Sequence, residues 1–386
     1  MNILYISDAD NKYGASKSML YTIKGLKQQY GNDIKIFLLI PYRLRNNRKM
    51  YEEYCEVVIC KVFGQYFQNR PYNKWIFPIK LIIKFLEYIL GIINLSLFLD
   101  KEISFEEIDI IHSNSSRDDT GIRLARKYNK PLVWHIREYG DKDFNCFCFR
   151  NDYIDLMNDN RATLVAVSEA VRKHWINKGI SPNKIITIYN GIELTECKDY
   201  ANLDNSKIRI LMLGGISDAK CQKHLIEAIA LLDDSARKHI SIDIIGDGNK
   251  KYFTEIKNLV KVYGLNSIIS FKGYIPNPER YIKQYDVGVI CSKSEAFGRV
   301  TVEYMMNGLL VIAPDSGANQ EIIQDGVEGF IYKWGDYSEL ALCIDRAISD
   351  KNILSRYGKN AHHRAMTEFS LKKYIEKIYS LYMELV

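Results

Sequence analysis

The chain lacks the features that would place it in several broad classes. A membrane-crossing helix needs an uncharged apolar run of about 20 residues. The most apolar stretch, residues 75–99, offers only 12 in a row, Tyr88 to Leu99, because Lys80, Lys84 and Glu87 interrupt the rest. It reads as a helix packed in the first half of the chain, with docking on a lipid surface as the alternative. There is no large excess of one charge: 53 basic residues oppose 47 acidic ones, a net charge of +6. No concentrated basic stripe for nucleic acid results, although mild basicity suits work beside an anionic membrane. The eight cysteines form no framework. Only Cys146 and Cys148 are close, and no second pair completes a zinc site. Reduced thiols are therefore expected. Met1 to Asp8 reads as a first strand without the basic start or cleavage site of a secretory signal, so a cytoplasmic protein is expected. Internal repeats, low-complexity tracts, a Walker loop and an ordered Ser–His–Asp set are also absent. Gly246 and Gly248 begin a dinucleotide fingerprint that has no third glycine.

What is present is alternation. Short apolar runs alternate with helical patterns along all 386 residues, 47% of them hydrophobic. This is the pattern of parallel sheets with crossover helices, in a chain long enough for two domains. Strands are expected at 3–7, 34–40, 57–62, 108–111, 132–134, 164–167 and 185–188. A second set is expected at 209–213, 241–245, 268–271, 287–291, 310–313 and 329–332. Helices are expected at 15–29, 120–128, 169–178, 222–232, 250–263, 299–306 and 371–385. The aperiodic polar stretch 193–206 reads as a linker. The expected division is 1–192, linker, 207–365, and a final segment 366–386. In open parallel sheets, ligands bind at the carboxyl ends of the strands. Motifs at strand ends thus carry the functional weight.

The strongest motif is Glu295-Ala296-Phe297-Gly298-Arg299-Val300-Thr301-Val302-Glu303. Its first glutamate falls in a strand-to-helix loop and its second lies within the helix. A helix start has free N–H groups and a positive dipole end, a natural seat for phosphate or sugar oxygens. Carboxylates on either side can accept hydrogen bonds from hydroxyls. Ahead of it, Leu213-Gly214-Gly215-Ile216-Ser217-Asp218-Ala219-Lys220 follows a strand and supplies a thin backbone and one cation.

This pattern resembles retaining GT-B glycosyltransferases, glycosyltransferase family 4 (group 1) in particular. The resemblance covers nearly the whole chain, most specifically Gly214 to Gly329. It implies an α/β GT-B fold: an N-terminal acceptor domain and a C-terminal nucleotide-sugar domain, both Rossmann-like, facing across a cleft. It further implies that the last helix crosses back to the first domain. Asp8/Asp10 and Asp141/Asp143 imitate the metal motif of the other major glycosyltransferase fold, but in the wrong context. The resemblance implies no metal and no cofactor beyond a UDP- or GDP-linked co-substrate.

Residue by residue, the resemblance makes His135, Lys220 and Glu295 catalytic candidates. Donor binding falls to Gly14, Gly214, Gly215, Ile275, Glu295, Ala296, Phe297, Gly298, Arg299, Val300 and Glu303, with Ile275 toward the base. His135 is expected to be exposed where its strand ends, and Arg137 and Glu138 to line the cleft or touch the acceptor. His112 reads as structural. Tyr13-Gly14-Ala15-Ser16 matches the family's glycine loop in part, with one glycine where a pair is common. Two departures concern phosphate binding: Gly215 stands where the family usually has Arg, and Cys221 where it usually has Gly. Arg299 or Arg137 is the expected second cation. The Ser316-Gly317-Ala318-Asn319-Gln320-Glu321 loop is expected to flank the donor.

The activity implied is metal-independent, retaining transfer of a hexosyl or related sugar to a glycan or lipid-linked hydroxyl. Its setting would be bacterial surface polysaccharide assembly, with peripheral contact at the inner face of the cytoplasmic membrane and no nucleic-acid partner. A GT-B nucleotide-sugar epimerase and a non-catalytic sugar-nucleotide-binding scaffold remain as alternatives.

Overall fold

The computed structural model describes residues 1–7, 14–60, 66–69, 77–140, 146–200 and 207–386. Tyr13, Trp75, Asp8, Asp10, Asp141 and Asp143, and residues 201–206 of the expected linker, lie outside them. The chain forms two units, Met1–Gly191 with Leu371–Val386, and Ile192–Ser370.

The first unit carries seven parallel strands in the order β3-β2-β1-β5-β6-β8-β9. They are β1 (Asn2–Ile6), β2 (Lys35–Pro41), β3 (Glu56–Cys60), β5 (Ile110–Ser113), β6 (Leu132–Ile136), β8 (Ala162–Ala166) and β9 (Ile185–Thr187). A short antiparallel pair, β4 (Phe67–Asn69) and β7 (Cys146–Cys148), stands apart. The strands read as near-continuous Ile/Leu/Val runs because both faces are covered; β5 and β6 are buried throughout. The Gly14–Tyr30 helix covers one face through Met19, Ile23 and Leu26. The Leu371–Leu385 helix joins the same core through Tyr374, Ile375, Ile378 and Tyr382. Ile375 lies so close to Gly25 that a Cβ there would fall 2.8 Å from it.

The second unit has six parallel strands in the order β12-β11-β10-β13-β14-β15. They are β10 (Ile208–Leu213), β11 (Ile240–Ile245), β12 (Ile269–Gly273), β13 (Val287–Val289), β14 (Leu310–Pro314) and β15 (Gly329–Tyr332). The strand order reverses between β10 and β13, which makes that junction a topological switch point. The helices Gln222–Leu231, Lys250–Val262, Arg299–Met306, Tyr337–Ser349 and Lys351–Glu368 complete the layers.

Three expectations need correction. The described part of the supposed linker is packed into the second unit: Lys198 is buried, with Nζ 2.5 Å from Asp286 Oδ1 and donating to Tyr285 O at 2.7 Å. A polar stretch without periodicity can thus be anchored by one desolvated ion pair, which periodicity does not report. The Phe77–Phe98 helix is not enclosed as a core helix would be. Among its described side chains, nine large apolar ones are exposed. Among the described residues, no helix is long and apolar enough to cross a membrane. Finally, the chain leaves the second unit at Ser370, within the expected final segment. The Lys351–Glu368 helix stays with that unit and the Leu371–Leu385 helix belongs to the first.

Candidate active site

In the second unit the motif residues gather at the carboxyl ends of β10 and β13. After β13 the chain runs through an open loop to Gly298, whose φ of +83° starts the Arg299–Met306 helix. That left-handed conformation comes without strain only to glycine. Glu295 sits in the loop, and Lys220 reaches it from the loop after β10, with Nζ 2.5 Å from Oε1. One helical turn on, Arg299 Nη2 lies 3.0 Å from Glu303 Oε1. Each glutamate of the pair thus holds one cation, and the four groups make two neutralised couples at the helix start. The Lys220 side chain remains 36% exposed against 14% for Glu295, 13% for Arg299 and 11% for Glu303. Lys220 is accordingly the member most open to an incoming anion.

The loop positions are fixed by backbone contacts. Lys293 N donates to Ala219 O at 3.2 Å, tying the two loops together. Ala318 N donates to Glu295 O at 2.9 Å. Gly317 adopts φ +63° and lies so close to Glu295 that a Cβ would meet its backbone N at 2.5 Å and O at 2.4 Å. The Ser316–Asn319 stretch is thus the floor under Glu295. Asn319, buried, donates to Ser316 O at 3.0 Å and accepts from Thr301 Oγ1 at 3.3 Å. The signal for this floor was a small-residue run at a strand end; its close approach to Glu295 depends on tertiary packing.

The remaining donor candidates divide. Gly214 and Gly215 follow β10, and Gly214 N donates to Ile245 O at 3.0 Å. At Gly215 an added Cβ would meet only Asp247 O, at an ordinary 3.7 Å. Its lack of a side chain is therefore not a steric requirement. Cys221 occupies the left-handed region at φ +51°, the conformation a glycine adopts freely. Ala296 and Val300 are half-buried, whereas the Phe297 ring is buried and lies edge-on to Phe369. That ring is a packing element, and only the Phe297 backbone belongs to the edge. Ile275 follows β12, which two strands, β11 and β10, separate from β13. It is not brought beside the glutamates.

The candidates of the first unit require correction as to exposure. His135 is fully buried. Its Nδ1 lies 3.1 Å from His112 Nε2, and His112 Nδ1 lies 2.5 Å from Tyr382 Oη, which is itself 2.5 Å from Tyr5 Oη. His135 Nε2 has no hydrogen-bond partner among the described residues. Burial, and then the Arg137 charge, hold both imidazoles well below their ordinary pKa, so they are neutral. The short β6 expected at 132–134 in fact extends through Ile136, and Tyr374 and Tyr382 arrive from a helix far along the chain. Strand termination therefore does not expose the ring.

Arg137 and Glu138 are likewise engaged within their own unit. Arg137 Nε donates to Asn114 Oδ1 at 2.8 Å and Nη1 to Asn190 Oδ1 at 2.6 Å, linking the ends of β5 and β9. Glu138 Oε1 accepts from Ser115 Oγ, Ser116 N and Ser116 Oγ at 2.7–2.9 Å. Both are buried. The second cation that the Glu pair does hold is Arg299. Gly14 opens its helix with the preceding loop outside the described residues. Ser168 caps the helix that follows it, accepting from Val171 N at 3.1 Å.

Comparison with known proteins agrees with this geometry. The family model for glycosyltransferase family 4 matches residues 14–196, and that for glycosyl transferases group 1 matches residues 196–364. An uncharacterized 41.2 kDa protein in the cps region of Klebsiella pneumoniae is 26% identical over 280 residues, 65% of this chain and 73% of that protein. The capsular polysaccharide biosynthesis glycosyltransferase CapH of Staphylococcus aureus is 26% identical over 211 residues, 54% of this chain and 59% of CapH. The putative glycosyltransferase EpsD of Bacillus subtilis is 30% identical over 169 residues, 43% of each chain. Among solved structures, Anabaena HepE in complex with UDP superposes with a TM-score of 0.78 over all of both chains, at 20% identity. With two family models running end to end through both units, the chain belongs to the group 1 glycosyltransferases of GT-B fold.

Proposed function

We propose that the protein transfers a sugar, with retention, from a nucleotide-sugar donor to a hydroxyl of a glycan or lipid-linked acceptor. The observation that carries this reading is the double couple Lys220–Glu295 and Arg299–Glu303 at the start of a helix on the carboxyl edge of a parallel sheet. Two anions and two cations held together without a ligand can exchange partners when a ligand brings its own diphosphate and hydroxyls. Lys220 and Arg299 then turn to the diphosphate, aided by the helix-start amides. Glu295 and the backbone of 296–300 hold the sugar with its anomeric carbon toward the acceptor. Glu303 takes the ribose.

In this reading the bond from the anomeric carbon to the phosphate oxygen breaks on the face where the acceptor oxygen bonds. The leaving phosphate accepts the acceptor's proton. No metal is required, because the two cations meet the charge. HepE is crystallised with UDP and with UDP-glucose, which favours a UDP-linked donor. The relative in a cps region and the capsular polysaccharide biosynthesis glycosyltransferase CapH favour surface polysaccharide assembly, which this reading sets at the cytoplasmic side of the membrane.

The test is to incubate the purified protein with a panel of UDP- and GDP-sugars, with EDTA and with or without a membrane-lipid extract as acceptor. Release of the nucleoside diphosphate that requires the extract is expected. Conversion of donor alone into another nucleotide sugar would instead establish the epimerase. Surface polysaccharide unchanged in cells carrying Glu295→Ala would establish the scaffold.

A further inference from the structure

The sheet of the second unit parts between β10 and β13, and one side chain occupies the opening. Odd-numbered residues of β10 turn their backbone groups toward β13: Arg209 O accepts from Asp286 N at 2.8 Å. Even-numbered ones turn toward β11, as Gly214 N does in donating to Ile245 O. β10 runs on to Leu213, but its register with β13 ends at Leu211↔Gly288. Beyond that point β13 stays with β14: Val289 pairs with Ile312, and Ile290 N donates to Ile312 O at 2.9 Å. In the first unit β1 and β5 stay paired from Ile3↔Ile110 to Ile6↔Ser113, and Asn114 N then donates to Ile6 O at 3.0 Å.

Leu211 O and Leu213 N thus face the opening, and a buried backbone group without a partner is costly. The Tyr304 hydroxyl serves both. It accepts from Leu213 N at 2.7 Å and donates to Leu211 O at 3.3 Å. Tyr304 is fully buried, and burial holds its hydroxyl well above the ordinary tyrosine range, so it stays protonated and able to play both parts. The ring reaches the opening across Gly288, where a Cβ would fall 2.1 Å from Tyr304 Cδ2 and 2.5 Å from Cγ. A glycine inside a strand weakens it; here the missing side chain is what admits the ring.

Tyr304 follows Glu303 on the Arg299–Met306 helix, and Leu213 leads into Gly214 and the loop to Lys220. One hydroxyl therefore joins the helix that presents Glu303 to the root of the loop that presents Lys220. Farther out, Lys293 N and Ala219 O tie the same region again. A ligand that spans two elements gains from a preset spacing between them, whereas a fragment that touches one does not.

We propose that Tyr304 is a positioning residue: its hydroxyl replaces strand backbone at the switch point, holds β10 and β13 apart, and fixes the spacing of the Lys220 loop and the Glu303 helix so that both ends of one nucleoside diphosphate are met together. The spacing role rests on the donor reading above; the wedge between the strands does not.

The experiment compares the unaltered chain with Tyr304→Phe, which keeps the ring and removes the hydroxyl. Hydrogen exchange at the Leu213 amide should quicken at least about tenfold. Calorimetry in EDTA then uses UDP or GDP, whichever the unaltered chain binds, with the matching nucleoside and with pyrophosphate. The nucleoside diphosphate should bind about fivefold more weakly, while the nucleoside and pyrophosphate each change by less than about twofold. A fall of all three in step would make Tyr304 merely structural and overturn the spacing role. An unchanged diphosphate affinity, or an unchanged Leu213 amide, would overturn the proposal as well. If Tyr304→Phe fails to fold, the unaltered chain decides: its Leu213 amide should exchange as slowly as that of Leu211 and slow further with the diphosphate, and exchange at the rate of a loop amide would overturn the proposal. If neither UDP nor GDP binds the unaltered chain, the donor reading fails and the spacing role with it, while the Leu213 amide still decides the wedge.

Discussion

The two units share one architecture and use their strand ends in opposite ways. At the carboxyl edge of β5, β6 and β9 in the first unit, every polar group picked out of the sequence is buried and joined to its neighbours: His112 to His135 and Tyr382, Arg137 to Asn114 and Asn190, Glu138 to Ser115 and Ser116. At the corresponding edge of the second unit, the charges meet as two pairs, of which Lys220–Glu295 keeps partial contact with solvent while Arg299–Glu303 is more enclosed. The lesson concerns what a charge at a strand end is for. A buried group with all its partners inside the fold holds loops in place, because exchanging those partners leaves a desolvated group unsatisfied. A partly exposed ion pair is worth little to stability, so it can be exchanged for a ligand at small cost. By this criterion we place the proposed donor chemistry in the second unit.

The largest effect should come from breaking the second unit where it is buried rather than where it is open. Asp286 pairs with Lys198 and accepts from Arg209 N at 2.8 Å. Burial lowers the pKa of Lys198 even with this partner. Asp286→Ala leaves that ammonium buried and alone and should cost about 3–5 kcal/mol. Hydrogen exchange should report the loss in 192–370 and spare the first unit. Equal loosening of both would erase the distinction between them.

Gly317→Ala comes next. It needs φ +63° and a methyl where the Glu295 backbone lies. A cost of about 1–3 kcal/mol is expected, with loss of transfer beyond that of destabilised controls because Glu295 is displaced. Unaltered turnover would detach Glu295 from the reaction.

Acid should act on the first unit. The folded pKa of His112 and His135 is lowered, so below about pH 6.5 the unfolded chain takes up protons that the folded chain refuses. Their contribution is complete above that pH and falls by about 1.4 kcal/mol per pH unit per histidine as pH drops. Thermal unfolding from pH 7.5 to 5 should show the slope, reduced in His135→Gln. A flat profile would mean that these rings are not held neutral.

The smallest effect is a gain. At Gly215 a Cβ meets only Asp247 O at 3.7 Å, so Gly215→Arg can be tried without a backbone clash, adding the cation that the family resemblance implies there. An exposed added charge is worth about 1 kcal/mol, so UDP should bind about fivefold more tightly by calorimetry.

The contrast between units also marks how much the sequence disclosed. The Gly329–Tyr332 strand, the Arg299–Met306 helix and the Leu371–Leu385 helix fall on the expected residues. In each, local periodicity and burial agree. The Glu295–Glu303 motif was legible because strand, loop and helix are adjacent in the chain. The burial of His135 was not, since the residues that close over it come from a helix more than two hundred residues later. Lys198 was missed for the same reason: its partner Asp286 lies 88 positions on. Whether Phe77–Phe98 is enclosed or faces outward stayed open between a core helix and a lipid-docking one, because apolar periodicity shows that a stripe exists, not whether protein covers it.

Calorimetric titration with UDP in the presence of EDTA, on the unaltered chain and on Lys220→Met and Glu303→Ala, tests the central claim most directly. The account predicts binding without metal, weakened at least about tenfold in each variant, with UDP protecting 214–220 and 295–303 from hydrogen exchange. Undiminished affinity in both variants, with protection appearing elsewhere, would contradict it.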